Sequence, residues 1–474
     1  MLSTTSDDCV VSLESLITSG GDERTELHAP DFTNKYGLNP VRYQGLLNRG
    51  SCTTSPLNTF SESVVKTLVN ETLPQRGYAA LRDEHTMRLK KLLNYEGQDA
   101  FDVFWSPSGS DLIYIPLLFA SLLYPGKRIV HMLTCPEELG SGTQIGARGE
   151  YFMQINQFGK ELPQYELIDP KLTIEMVHYA ARSVEGIINN HQQDLIQTIK
   201  ENPDAAKIGS LVIGSKSGIE NNIDVLDLVD DDMLWVVDLC QFRNSKRLIH
   251  KLLNRNCMIM LTGSKFYQAP PFCGAMLLPK KLTERVVDCP VNMDLEPYGN
   301  LFSAFDVPSC FNKLQEILPR EENIGLLARW ECGLSEMEAF DSIPKQDRTK
   351  LVQDWNDLVC DEIRSRPDFF ELMPNQELTN NSIISFRVKH QGRYINNGDL
   401  RRFFDELVSE RYPDVFEGPY DRVTIGQPVN YGDRSFIRLA LGAHDIRMML
   451  QKENPFINEV RILEIIQRKL ITWS

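Results

Sequence analysis

The sequence predicts an α/β protein, with a large domain built on a mostly parallel sheet flanked by helices and a smaller C-terminal α/β domain. Three observations predict it. Between Phe101 and Pro279 short unbroken apolar runs recur, separated by longer mixed segments: RIVHML from Arg128, SLVIG from Ser210, MLWVVDL from Met233, CMIML from Cys257 and GAMLLP from Gly274. Runs without polar alternation suit strands covered on both faces, as parallel sheets are. After Glu321 the texture changes to long amphipathic stretches, ENIGLLARWECGLSEMEAF and LVQDWNDLVCDEIRS. SIISFRV, a helix over DLRRFFDELVSER, FIRLALG and a last helix over NEVRILEIIQRKLI follow. Finally, 474 residues exceed the roughly 250–300 that one core usually fills.

In chain order, residues 1–75 hold KYGLNPVRY and RGSCTTSPLNTF, rich in turn residues and poor in periodicity. They are expected to form an arm or a small-domain segment packed on the rest. Residues 76–320 are expected to form the large domain and 321–474 the small one. FDVFW from Phe101 leads through SPSGSD into LIYIPLLFASLLYP. That run falls short of the ~20 apolar residues a membrane span needs and holds an early proline, so a buried helix is expected.

Net charge is −15, which opposes binding to nucleic-acid phosphates and anionic membranes and favours a small-molecule substrate. The opening MLSTTSDDCVVSLES has early aspartates and no apolar core, so no secretory signal and a cytoplasmic location are expected. The ten cysteines are scattered without CxxC or Cys/His spacing, so no metal site is expected and the thiols are expected to be reduced and mostly buried.

Lys265 follows the apolar run CMIML through Thr262-Gly263-Ser264, at the C-terminal edge of the expected sheet, where open α/β folds place ligands. A lysine that merely snorkels from a loop is the competing reading. Asp238 closes MLWVVDL, and a carboxylate at the end of so apolar a strand needs a cation or several donors; capping the next helix is its alternative. Ser108, Gly109 and Ser110 open the helix after FDVFW, either as an anion cradle of backbone N–H groups or as an ordinary helix cap. His131, within RIVHML, reads as a satisfied core histidine.

The order of these features, an anion loop, an aspartate closing a strand and a lysine after the next strand, resembles the fold type I family of pyridoxal 5′-phosphate (PLP) enzymes, the aspartate aminotransferase superfamily. KFYQAPPFCGA, from Lys265, is most similar to the class V aminotransferase and cysteine desulfurase branch. The resemblance implies PLP as cofactor, with Lys265 forming its Schiff base, Asp238 on the pyridinium nitrogen and Gln241 on the phenolic oxygen. It places Ser108, Gly109, Ser110 and Ser264 at the phosphate, with Thr262 a weaker candidate, and Ser217 over the cofactor, against a plain loop serine. A substrate carboxylate would meet Arg438, with Arg387 as rival, because an arginine fork suits a carboxylate.

The sequence departs from the family after RIVHML. There TCPEELGSGTQIGARGEYF offers no ring-stacking aromatic until Tyr151, leaving Glu137 or Glu138 in that place. No cysteine follows Cys360, which argues against desulfurase chemistry, and Cys332 and Cys360 read as packing residues. The expected function is a PLP-dependent transferase acting on an amino acid or small amine, foremost an aminotransferase. A lyase or a β- or γ-replacement enzyme is the alternative, and a non-catalytic module on the same fold the third. A homodimer is implied by the resemblance.

Overall fold

Two sheets organise the chain. The computed structural model describes residues 12–30, 32–41, 45–50, 55–95, 101–229, 233–290, 294–432 and 434–473; Cys9, Cys52 and parts of KYGLNPVRY and RGSCTTSPLNTF lie outside them. The strands are β1 (Leu46–Arg49), β2 (Phe101–Ser106), β3 (Ile129–Thr134), β4 (Ile174–Tyr179), β5 (Ala206–Val212), β6 (Leu234–Asp238) and β7 (Met258–Thr262). β8 (Gly274–Pro279), β9 (Phe370–Leu372), β10 (Ile383–His390), β11 (Arg393–Tyr394), β12 (Arg422–Tyr431) and β13 (Arg434–Ala440) complete the set.

The large sheet has the order β2-β8-β7-β6-β5-β3-β4. The pairs β3–β4, β3–β5, β5–β6 and β6–β7 are parallel, as the apolar runs predict. β8 is antiparallel to both neighbours. Its direction follows from its connection: the segment from Gly263 to Cys273 has no helix to carry it back across the sheet, so the strand returns beside β7. β2 consequently runs the same way as β7.

Both faces are covered. Val103, Trp105, Val237, Ile259 and Leu277 pack beneath the helices Tyr78–Leu92, Lys246–Asn254 and Ile324–Asp341. Phe104, Val236, Met260, Met276 and Leu278 face the helices Tyr114–Leu123 and Lys280–Val287. Alternation along each strand thus feeds two cores. The Tyr114–Leu123 helix is buried along nearly its whole length, which accounts for its all-round apolar character. No described helix is long and apolar enough to cross a membrane.

The second sheet runs β1-β12-β13-β10-β11, with β9 also on β10. The helices Lys345–Arg364, Asn397–Ser409 and Ile457–Thr472 cover it through Trp355, Phe403 and Ile466. β1 pairs in parallel with β12, so a segment from the first fifty residues completes a sheet otherwise built from residues 370–440. The Ile324–Asp341 helix lies past residue 320, yet Leu326, Trp330 and Leu334 join the core of the large sheet.

A buried ion network ties β1 to the last two helices. Arg49 donates from Nε and Nη2 to Glu459 at 2.9 and 2.8 Å, and its Nη1 lies 3.0 Å from Asp445. Glu459 is fully buried, so removing Arg49 leaves an uncompensated charge. Arg49→Met is therefore expected to cost about 3–5 kcal/mol in urea unfolding, and adding Glu459→Met is expected to recover most of it.

Candidate active site

β2, β3, β5, β6 and β7 all end at one edge of the large sheet, and the loops leaving them enclose a cavity of about 170 Å³. The backbone there is bent into unusual conformations. Cys135, Phe242, Gln268 and Phe272, all in these loops, have φ of 52°, 53°, 52° and 75°, the left-handed region non-glycine residues avoid. Such conformations persist only where surrounding packing imposes them, and they gather at functional sites.

The structure brings most of the candidates to this cavity: Lys265, Asp238, Gln241, Thr262 and Ser264 line it. So do Ser108, Gly109, Ser110 and Arg438. Lys265 is half-buried, and its Nζ has no hydrogen-bond or ion-pair partner among the described residues. Its loop is clamped from the small sheet: Ala443 N donates to Phe266 O at 2.6 Å, and Gln268 Nε2 donates to Asp445 Oδ2 at 3.0 Å. The loop backbone is therefore held at the sheet edge, with Lys265 on the cavity wall.

Asp238 does not cap the next helix, since Ser245 does so through Leu248 N. Its Oδ1 accepts from Cys240 N at 2.8 Å, which fixes the carboxylate at the cavity wall. Gln241 Oε1 accepts from Arg243 Nε at 3.2 Å, which orients that amide. Thr262 Oγ1 donates to Cys240 O at 2.8 Å, so its hydrogen is committed and only its lone pairs remain.

The Ser108–Ser110 loop lies tightly against the strand ends. A Cβ at Gly109 would come within 2.8 Å of Cys240 Sγ and 3.2 Å of Thr262 Cγ2, so only glycine fits. Ser108 Oγ donates to Asp111 Oδ2 and accepts from Asp111 N at 3.3 Å, so the loop does close on itself as a cap. It also opens on the cavity, with Ser110, Ser141 and Thr143 adding hydroxyls. The residues that close the loop and those that line the cavity are the same.

Arg438, on β13, is almost fully buried, and its Nη1 donates to Gln427 O at 2.7 Å. Gly426 makes its room, because a Cβ there would sit 2.1 Å from Arg438 Cγ. The register of β12 against β13 shifts between Gly426 and Val429, and this bulge carries Gln427 to the cavity wall. Arg387 stands elsewhere: it pairs with Glu371 at 3.2 Å and lies over the Tyr394 and Tyr431 rings. Ser217 is also outside the lining. Its Oγ donates to Glu138 Oε2 at 2.6 Å and accepts from Arg182 Nη2 at 3.0 Å.

Where the family's stacking residue is expected, the wall is formed by Glu138 and Leu139. The Glu138 carboxylate is spent on Ser215, Ser217 and Arg182, leaving Leu139, with Val212, as apolar lining. Tyr151 lies outside the lining, in the core beside the Tyr114–Leu123 helix. Cys240 and Cys273 line the cavity, but burial pushes the first well above the usual thiol value and the second up to about 12, so neither is a ready nucleophile. Cys332 and Cys360 are buried packing residues. His131 is fully buried and satisfied, its Nε2 2.8 Å from Ser210 Oγ and its Nδ1 3.1 Å from Ala147 O. Among the described residues no group of three or more His, Cys, Asp and Glu is placed to hold a metal ion.

Sequence reasoning missed two cations in the lining, Lys216 and Arg24. Lys216 had a signal: Gly214-Ser215-Lys216 after β5 repeats the Gly263-Ser264-Lys265 that follows β7. Unlike Lys265, its Nζ reaches a carbonyl, Glu137 O, at 3.5 Å. Arg24 had none, since GGDERTE reads as an exposed charged turn.

No protein-family model matches the sequence and no curated protein does. Solved structures do match. The ureidoglycine–glyoxylate aminotransferase of Bacillus subtilis aligns over 89% of this chain and 92% of its own, at 12% identity and a TM-score of 0.55. A tryptophan decarboxylase of Catharanthus roseus aligns over 90% and 83%, at 13% identity and TM-score 0.53. A NifS-like protein of Rickettsia africae aligns over 89% and 99%, at 9% identity and TM-score 0.55. At these identities the likeness is one of fold, and the fold is that of the fold type I PLP enzymes.

Asp111 supplies a test of the cradle's electrostatics. Burial first, and the charge of Asp22 second, push its carboxyl up to about 7 against the pull of Arg24 and the Ser108 hydrogen bonds. A carboxyl raised in the folded state resists ionising there, so folding stability falls as pH rises from about 4 to about 7 and the cost is complete above that. In ligand-free protein, wild type is expected to lose on the order of 2–4 kcal/mol more than Asp111→Asn between pH 5 and pH 8, measured by urea unfolding.

Proposed function

We propose that the protein is a PLP-dependent enzyme acting on the amino group of an amino acid or small amine, and that it is an aminotransferase. One observation carries this: a single cavity at the carboxyl edge of a fold type I sheet holds Lys265, Asp238, the Ser108–Ser110 cradle and Arg438. The donor set fits the group, with hydroxyls and backbone N–H for a phosphate, a fixed carboxylate for a protonated ring nitrogen and an amine for an aldehyde.

When bound, PLP supplies an aldehyde that exchanges amines and a protonated ring that draws electrons from the bond next to the substrate nitrogen. Lys265 Nζ would be the amine that meets the PLP aldehyde, and, freed of it, would serve as general base for the proton on the substrate α-carbon and as the acid that redelivers it. Asp238 would hold a proton on the ring nitrogen by a charge-assisted hydrogen bond. Gln241, oriented by Arg243, would offer its amide to the ring's oxygen. Leu139 and Val212 exclude water from the cavity wall.

Arg438 bears on reaction type. A guanidinium gripping the substrate carboxylate stabilises it more as an anion than in a state losing carbon dioxide, so it opposes decarboxylation and leaves the C–H bond to break. Breaking that bond is what an aminotransferase would need. A lyase or replacement reaction shares these first steps. The proposal includes a homodimer and a cytoplasmic setting, with no nucleic-acid partner.

Wild-type protein mixed with PLP is expected to develop a near-visible absorbance band that Lys265→Ala lacks; absence of the band from wild type contradicts the assignment. With an amino acid and a 2-oxo acid, one equivalent of acceptor consumed per oxo acid formed marks transamination. Ammonia, sulfide or carbon dioxide released without an acceptor marks the lyase or replacement alternative. Arg438→Gln is expected to raise KM for an amino-acid donor by roughly 10–100-fold, the loss of a charge-assisted fork.

A further inference from the structure

The anion end of the cavity contains a guanidinium that belongs to neither sheet. Arg24 lies in the turn Glu23–Thr25, which follows the short helix Leu13–Thr18. It is buried, and its planar group sits between the rings of Phe152 and Phe272, at 5.0 and 4.7 Å from their centroids. Nε donates to Asp22 Oδ1 at 2.8 Å, Nη2 donates to Asp22 Oδ2 and reaches Ser108 Oγ at 3.4 Å, and Nη1 makes no hydrogen bond among the described residues.

The segment carrying it is anchored by a second buried arginine. Arg329, fully buried on the Ile324–Asp341 helix, donates from Nη1 to Ile17 O at 2.9 Å and from Nη2 to Gly20 O at 3.0 Å. Its Nε donates to Phe272 O at 2.7 Å, at the far end of the loop that carries Lys265. Asn323 adds Nδ2 to Gly20 O at 2.9 Å. The strap and the lysine loop thus hang from one side chain.

A purely structural Asp22–Arg24 pair would not need to face the cavity. Arg24 lines it beside Ser108, Ser110 and Tyr36. Without its charge the Asp22 carboxylate, directly behind that wall, would be uncompensated and would oppose an anion there. With it, Asp22 is neutralised, and a guanidinium held between two rings keeps its Nη1 donors for a further oxygen.

We propose that Arg24 is the cation that fixes the phosphate end of the cofactor, carried into the cradle by the N-terminal strap and aimed there by Asp22. The proposal rests on the PLP assignment of the cavity. It makes Arg24 a determinant of the preference for phosphorylated over unphosphorylated pyridoxal.

The test is the dissociation constants of PLP and of pyridoxal, titrated by near-visible absorbance into wild type, Arg24→Gln and Arg24→Lys, with unliganded melting temperatures as a control of folding. Arg24→Gln is expected to cut the preference for PLP over pyridoxal by roughly 10–100-fold while pyridoxal itself stays within about threefold of wild type. Arg24→Lys, which keeps the charge and loses the planar fork, is expected to fall between the two. An unchanged preference in whichever variant folds overturns the proposal, as does equal weakening of both ligands, the mark of a structural pair. Wild type that binds neither ligand overturns the Lys265 assignment and the inference with it. Wild type that binds both equally overturns the inference alone.

Discussion

Co-directional strands that stop at a common edge leave their terminal polar groups without ladder partners, and the site is the set of solutions to that problem. β2, β3, β5, β6 and β7 all end there. Past each end the chain must turn into a loop while both sheet faces stay covered by helices. The left-handed residues Cys135, Phe242, Gln268 and Phe272 are where those turns are made. The cavity is what the turns surround, and the charged groups in it are there because a water-excluded edge makes each of them strongly felt.

The charges come in matched neighbourhoods. Glu138 is neutralised by Arg182 and two serine hydroxyls, Arg24 by Asp22, and Asp445 by Arg49. Against that background Lys265 stands out as an amine with no partner of its own among the described residues, next to a fixed Asp238. The small sheet contributes to the same economy of charge from the other side. Its β13 carries Arg438, and its last turns clamp Phe266 and Gln268, so the loop holding the lysine is fixed by both sheets at once.

The large sheet was legible because its strands are covered on both faces and therefore read as unbroken apolar runs. β4 was not, being an edge strand whose residues are half exposed, and IEMVHY carries no such run. β12 was not because Gly426 and Pro428 make RVTIGQPVNY read as a turn, when they belong to a bulge that admits Arg438 and aims Gln427. Lys265, Asp238, Ser108, Gly109 and Ser110 were found from strand ends and their order, and Arg438 from the family resemblance; they share one cavity. Ser217 reads the same in sequence as a lining residue, but the carboxylate of Glu138, distant in sequence, turns its hydroxyl inward. Arg24 was invisible because its role comes from Arg329, far along the chain, which holds the strap in place.

The twin Gly-Ser-Lys tripeptides allow a sharp test of the central claim that Lys265 is the reactive amine. The protein would be incubated with PLP, reduced with borohydride, digested, and the pyridoxylated lysine located by mass spectrometry. The geometry predicts the label on Lys265 and an unmodified Lys216, whose Nζ is engaged by Glu137 O. Label on Lys216, or none on Lys265, would contradict the assignment of the cavity.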